Sequence, residues 1–180
     1  MNALPTLEAF TRGRQLANAR NHGTTRTVKW NDTKAWAALV DGSACPICDH
    51  GQPLDVIATL ETSWLTMQEK APARGYVCLV SRTHVVELHE LSEPASLAFM
   101  RDIRRVSSAL CEITGAVKLN YEIHGNTLPH LHMHFFPRYR GDAFEGRPID
   151  ARAVIHSPYK PGEFSALREK LLHVIREDAA

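Results

Sequence analysis

The sequence predicts an α+β domain, an antiparallel five-stranded sheet packed on one long helix, with helical extensions at the N- and C-terminal ends. Two observations carry this reading. Apolar runs of strand length fall on both sides of a single long amphipathic stretch, an order that suits an antiparallel sheet with its helix on one face. The 180 residues, 44% hydrophobic and 23% charged, match an ordinary globular domain. A chain of that length buries about 70% of its unfolded surface and needs no disulfide staples.

Residues 7–20 read as a short helix weakened by Gly13, and 21–44 as irregular chain anchored by Trp30 and Trp36. Asp41-Gly42-Ser43 is a turn signal leading into Cys45-Pro46-Ile47-Cys48. Residues 55–60 and 64–68 read as two short strands joined by a turn around Glu61–Ser63. After a loop at 71–75, Tyr76–Ser81 is a continuous apolar run, which fits a buried central strand. The helix at 93–114 is the clearest element, with Ser92 as N-cap, Pro94 in the first turn and Gly115 as the stop. Leu97, Met100, Ile103, Val106, Leu110 and Ile113 recur at helical spacing as its apolar face. Arg101, Arg104 and Arg105 lie off that face and read as solvated in preference to a phosphate patch.

Lys118–Ile123 is a further strand, and His124-Gly125-Asn126 a tight connection. His130–Phe136 is the last strand, ended by Pro137, which cannot donate to a ladder. The Gly- and Pro-rich stretch 140–162 reads as surface wrapping. A final helix at 163–177 has Phe164, Leu167, Leu171 and Val174 on one face. The expected organisation is an N-terminal extension at 1–43, a domain at 44–140 and a C-terminal extension at 141–180.

Lys plus Arg number 21 against 20 Asp plus Glu, a formal net charge of +1 that gives no reason to expect nucleic acid or an anionic membrane as partner. No apolar run nears the ~18–20 residues of a membrane span. The first residues, with Glu8 and Arg12, lack a signal-peptide core. The expected compartment is the cytoplasm, where the four Cys stay thiols. Cys78 and Cys111 fall on apolar faces and read as core thiols.

His130-Leu131-His132-Met133-His134 alternates strictly. On a strand, period two sends all three imidazoles to one face and Leu131 and Met133 to the other. With ten His in 180 residues, three at i, i+2, i+4 arise by chance only about 0.03 times. A solvated strand face or an adventitious metal clamp is the bland alternative. A buried histidine row is costly unless each ring nitrogen finds a partner. It is useful where a phosphorus ester is attacked near neutral pH, since neutral imidazole is a good nucleophile and imidazolium a good acid. Cys45-x-x-Cys48 lets one turn present two thiolates to a single ion, yet alone it reads equally as a redox pair, half a zinc site or coincidence. His22, His50, His89, His156 and His173 have no motif context; His124, just before Gly125-Asn126, is the remaining histidine with a path to the pocket.

HLHMHFF at 130–136 resembles the His-φ-His-φ-His-φ-φ signature, with φ apolar, of the histidine-triad (HIT) superfamily of nucleotide hydrolases and transferases. Gly75 to His84 is similar to the family's glycine, buried strand and downstream His. Asn120 and Gly125-Asn126 precede the triad at a familiar distance, and Pro137-Arg138 follows it. The resemblance implies that His132 is the nucleophile, attacking the α-phosphorus of a nucleotide or dinucleotide to form a nucleotidyl-histidine that water hydrolyses. It implies that His134 binds the phosphate and helps protonate the leaving group, and that Asn126 and Asn120 orient phosphate oxygens. Several branches, including relatives of the galactose-1-phosphate uridylyltransferases, bind zinc through a Cys pair and two histidines. Here that set would be Cys45, Cys48, His84 and His130, a closed tetrahedral set suited to structural zinc. Its rival is a metal-free site in which His130 donates to nearby backbone.

One departure stands out: many relatives carry His directly after the glycine of the buried strand, where this chain has Tyr76. The expected activity is a nucleotide hydrolase, with a nucleotide- or zinc-binding module of little turnover, or a nucleotidyltransferase, as alternatives. Family members are commonly dimers, so a homodimer is expected.

Overall fold

A computed structural model of the chain describes residues 28–150 and 157–177. The helix read at 7–20 lies outside them, as do His22 and His156. Helix α1 spans Thr33–Val40, where the sequence reading had irregular chain. The correction has a plain local cause: the Asp32 side chain caps it by accepting from the Ala35 amide at 3.2 Å. Helix α2, Pro46–His50, is one turn with proline at its start and Gly51 in the left-handed conformation at its end (φ 76°).

Five strands follow the expected order: β1 (Val56–Thr59), β2 (Ser63–Thr66), β3 (Val77–Ser81), β4 (Lys118–Glu122) and β5 (His132–Arg138). They form one sheet, β1-β2-β3-β5-β4, with every neighbour antiparallel. Helix α3 (Glu93–Thr114) joins β3 to β4, and α4 (Glu163–Glu177) follows. The α3 ends fall where expected, with Ser92 accepting from Ala95 N and Gly115 left-handed (φ 66°).

Leu65, Leu79, Val77 and Phe135 point to the helical side of the sheet and meet Phe99, Ile103, Val106 and Leu110 of α3. Leu167, Leu171 and Ile175 of α4 close the same core. Two readings are corrected. Leu97 and Met100 are 56% and 52% exposed, and Cys111 is exposed, because the buried stripe of α3 runs through Phe99, Ile103, Val106 and Leu110. β5 begins at His132 and runs on through Pro137, which pairs with Leu119. The β3 ladder has already ended at Val77↔Phe135, so that side asks no donor of residue 137.

Gly75 enters β3 with φ 76°, and a Cβ there would stand 2.9 Å from Thr114 Cγ2 and 3.3 Å from Pro137 Cγ. Only glycine lets the chain pass between the end of α3 and β5 and set Tyr76 into the sheet.

Asp102 lies inside the apolar stripe of α3, 3% exposed. Its carboxylate accepts from Thr62 N (3.0 Å), Thr62 Oγ1 (3.1 Å), Ser63 Oγ (2.7 Å) and Glu61 N (3.3 Å). It therefore ties the β1–β2 turn to the helix beneath it. Removing it strands four donors, two of them backbone. Asp102→Ala is expected to cost about 2–4 kcal/mol in urea unfolding, whereas Arg101→Ala, which breaks the exposed Arg101–Glu61 pair, should leave the midpoint nearly unchanged.

Candidate active site and metal centre

The face of the sheet opposite the helices carries His132 and His134 of β5. Their register partners are Val80 and Cys78 of β3, and Glu122 of β4 lies opposite His134. The first histidine lies just before the strand. The chain bends at His130, and Leu131 bonds to Ser81 at the end of β3 and to Val85 beyond it, through Ser81 N→Leu131 O (2.9 Å) and Leu131 N→Val85 O (2.7 Å). Leu131 and Met133 join the core, as alternation predicts, while the His130 ring is 2% exposed among Cys45, Cys48 and His84. The expected strand is corrected at its start: β5 carries His132 and His134, and His130 precedes it.

Each ring at the site has its proton placed by a neighbour. His132 Nδ1 lies 2.6 Å from the His130 carbonyl. A carbonyl only accepts, so Nδ1 carries the hydrogen and Nε2 keeps its lone pair. Burial holds His132 below the usual histidine range, so the ring is neutral at pH 7. The His134 ring stands 4.8 Å from it, nearly perpendicular at 88°. His134 Nδ1 is 2.7 Å from the Tyr76 hydroxyl. Burial raises the Tyr76 phenol above its ordinary value, so it is protonated. Nδ1 is its hydrogen-bond partner among the described residues, and because a buried hydroxyl hydrogen without an acceptor is costly, the phenol is assigned as the donor. That leaves His134 with its hydrogen on Nε2. Burial, then the rings of His132 and His124, lower His134 to about 4. The pair thus offers one free imidazole lone pair beside one N–H donor.

The second cluster is Cys45, Cys48, His84 and His130, whose donor atoms all lie within 4.8 Å of one another. His130 Nδ1 is 3.5 Å from Cys45 Sγ, 3.8 Å from Cys48 Sγ and 3.1 Å from His84 Nδ1; Cys48 Sγ is 3.3 Å from His84 Nδ1. Donors ~2.0–2.3 Å from one ion at tetrahedral angles stand about 3.3–3.8 Å apart. The outer nitrogens are already used: His130 Nε2 donates to Ser81 O at 2.8 Å and His84 Nε2 to Val40 O at 2.9 Å. Both Nδ1 lone pairs therefore face each other, an arrangement favourable only with a cation between them. The four residues fit a metal ion. The α1–α2 segment builds half of this centre, through Val40 O and the Cys45 and Cys48 thiols. Gly42 permits the approach, since a Cβ there would stand 3.1 Å from the His84 ring.

The two predicted amides are placed differently. Asn120 shares the histidine face of the sheet, but its Oδ1 accepts from Arg138 Nη1 at 2.5 Å. Arg138, left out of the predicted site, is 8% exposed and forked onto Asp142 at 2.8 and 2.9 Å. Asn126 is exposed in the loop before His130, and its carbonyl accepts from the Trp30 indole at 3.0 Å. Trp30 is thus an anchor, as expected, though 63% exposed. Three participants escaped the sequence reading in their roles. Tyr76 was legible only as a departure, the placement of the His124–Glu122 contact (2.9 Å) beside His134 needs the β4–β5 register, and Val40 acts through backbone alone.

The HIT domain family profile matches residues 50–141. Among solved structures, a histidine triad protein from Bradyrhizobium japonicum is 33% identical, with 67% of this chain and 89% of that one covered and a TM-score of 0.60. A histidine triad protein from Marinobacter aquaeolei is 22% identical, with 68% and 88% covered and a TM-score of 0.60. A zinc-bound histidine triad family protein from Mycobacterium smegmatis is 21% identical, with 77% and 99% covered and a TM-score of 0.56. None of the curated proteins matches the chain significantly. The five-stranded sheet and the matched residues define a histidine-triad protein. The chain belongs to the HIT domain family. Among the described residues no helix is long and apolar enough to cross a membrane.

The state of His134 is measurable. Its folded pKa lies below the unfolded value, so the unfolded chain binds more protons as pH falls. Stability is full above about pH 6.5 and declines toward pH 4, by about 1–3 kcal/mol from this ring. Nitrogen-15 NMR is expected to find His134 neutral with Nε2–H at pH 7, and His134→Gln should flatten the acid slope of thermal stability.

Proposed function

We propose that the chain is a nucleotide hydrolase that cleaves a phosphoanhydride or phosphoramidate bond at the α-phosphate through a nucleotidyl-histidine intermediate on His132. The observation that carries this is the His132 Nδ1–His130 carbonyl bond, which keeps Nε2 unprotonated. Nε2 attacks the α-phosphorus, a P–N bond forms, and the bond to the leaving group breaks. His134 donates from Nε2 to a phosphoryl oxygen as its charge develops. Water then attacks the phosphorus, releases the nucleoside monophosphate and frees His132. Asn126, exposed in the loop before the triad, orients phosphate oxygens, and Asn120 supports the neighbouring cavity through Arg138.

Zinc is the ion that suits Cys45, Cys48, His84 and His130, and the zinc-bound relative from M. smegmatis supports the assignment. A closed four-ligand set supplies structure, tying α2 to the loops that carry His84 and His130. The exposed Leu97 and Met100 on α3 and Tyr121 on edge strand β4 offer an apolar surface for the homodimer that the resemblance implies.

Two tests separate these roles. His132→Ala should lose acid-labile label from a radiolabelled adenylyl donor in single-turnover mixing and slow turnover on the order of 10³-fold or more, with fold and zinc intact. A variant that keeps the label overturns the mechanism and leaves a nucleotide-binding module; label passed to an acceptor other than water indicates a transferase. Elemental analysis should find one zinc per chain in untagged protein, and His130→Ala or Cys45→Ser should lower zinc content and melting temperature together. Metal-free wild-type protein from zinc-supplemented medium would exclude the zinc site.

A further inference from the structure

His134 is a poor source for the proton that the leaving group needs. Its Nδ1 accepts from the Tyr76 phenol at 2.7 Å, with the two rings 5.9 Å apart and 22° from parallel, so the ring is held as the neutral Nε2–H form. A neutral imidazole binds an oxygen well but surrenders its last N–H only in strong base. To act as an acid it would first need a proton on Nδ1, the atom that Tyr76 occupies. His132 is committed as nucleophile, and His130 and His84 face the metal centre.

One further imidazole stands at the site. The His124 ring lies 5.8 Å from that of His134. Its Nε2 is 2.9 Å from Glu122 Oε2, and Glu122 is the β4 residue in register with His134. The carboxylate accepts from Nε2 and fixes the ring, leaving Nδ1 for another partner. His124 is half exposed, so a leaving group can reach it. Glu122 also borders a cavity of about 600 Å³ lined by Asn120, Arg138 and Arg147, beside the histidine face. We propose that the Glu122–His124 pair is the acid that protonates the leaving group, while His134 holds the phosphate.

The step balances without a further reagent. His132 Nε2 forms the P–N bond as the bond from phosphorus to the leaving oxygen or nitrogen breaks, and that atom takes the Nδ1 proton of the His124 imidazolium. His124, now neutral at Nδ1, accepts a proton from the water that attacks the nucleotidyl-histidine, which returns the pair to its starting state.

This rests on the nucleotidyl-histidine reading, and the test keeps the two apart by varying the leaving group. Wild type, His124→Gln and Glu122→Gln are compared in single-turnover labelling with two donors. Adenosine phosphoramidate expels an amine that must be protonated; adenosine 5′-(p-nitrophenyl phosphate) expels a phenolate that need not be. His124→Gln is expected to slow labelling by the phosphoramidate on the order of 10²-fold or more, and by the nitrophenyl donor less than about tenfold. Glu122→Gln should show the same contrast in weaker form, a contrast that damaged folding would not produce. Equal losses with both donors, or no loss with the phosphoramidate, overturn the assignment while leaving His132 as nucleophile. Absence of label from wild type with either donor overturns the nucleophile reading and this inference with it.

Discussion

His130 joins the two halves of the site. Its ring is 2% exposed and donates from Nε2 to Ser81 O, which presents Nδ1 to the metal cluster. Its own carbonyl accepts from His132 Nδ1 at 2.6 Å, which decides the tautomer of the ring two residues on. The same residue therefore faces the candidate metal centre with its side chain and positions His132 with its backbone. Because Leu131 is pinned to Ser81 at the end of β3 and to Val85 beyond it, that carbonyl cannot swing away without disturbing these backbone bonds. Anything that secures His130 also secures the state of His132.

The same economy of means runs through the cluster. Buried imidazoles are expensive unless both nitrogens are satisfied. Here the outer nitrogens take backbone carbonyls from Ser81 and Val40, and the inner ones are left free for a cation. This draws α1 into the site although it precedes the histidine motif by many residues. Gly42 matters for the same reason, because the chain must pass within van der Waals reach of the His84 ring to deliver Val40 O and then Cys45.

How much of this was legible follows the physics of each signal. The helix at 93–114 was readable to the residue because caps are local: Ser92 and Gly115 satisfy their own backbone neighbours. Its buried face was misassigned at Leu97 and Met100, because hydropathy cannot say which flank of an apolar stripe the sheet covers. The metal set was readable by resemblance, with Cys45, Cys48, His84 and His130 all found together. Strict alternation at 130–134 misled in one respect: it cannot reveal that the strand starts at His132, since that depends on bonds from Leu131 to Ser81 and Val85. The placement of Glu122 and His124 beside His134 depends on register between β4 and β5, a long-range property with no local sequence mark.

Tyr76 shows how one substitution can redistribute roles without changing the fold. A histidine in its place would offer a nitrogen that both donates and accepts, leaving the third triad ring free to take either tautomer. A protonated phenol with no other acceptor among the described residues donates in one direction only, toward His134 Nδ1. His134 then stays a neutral N–H donor, well matched to an anionic phosphoryl oxygen and badly matched to proton delivery. The need for an acid does not vanish; it moves to the nearest imidazole whose protonated form has a carboxylate beside it. On this sheet face that is His124, held by Glu122 across the strand from His134.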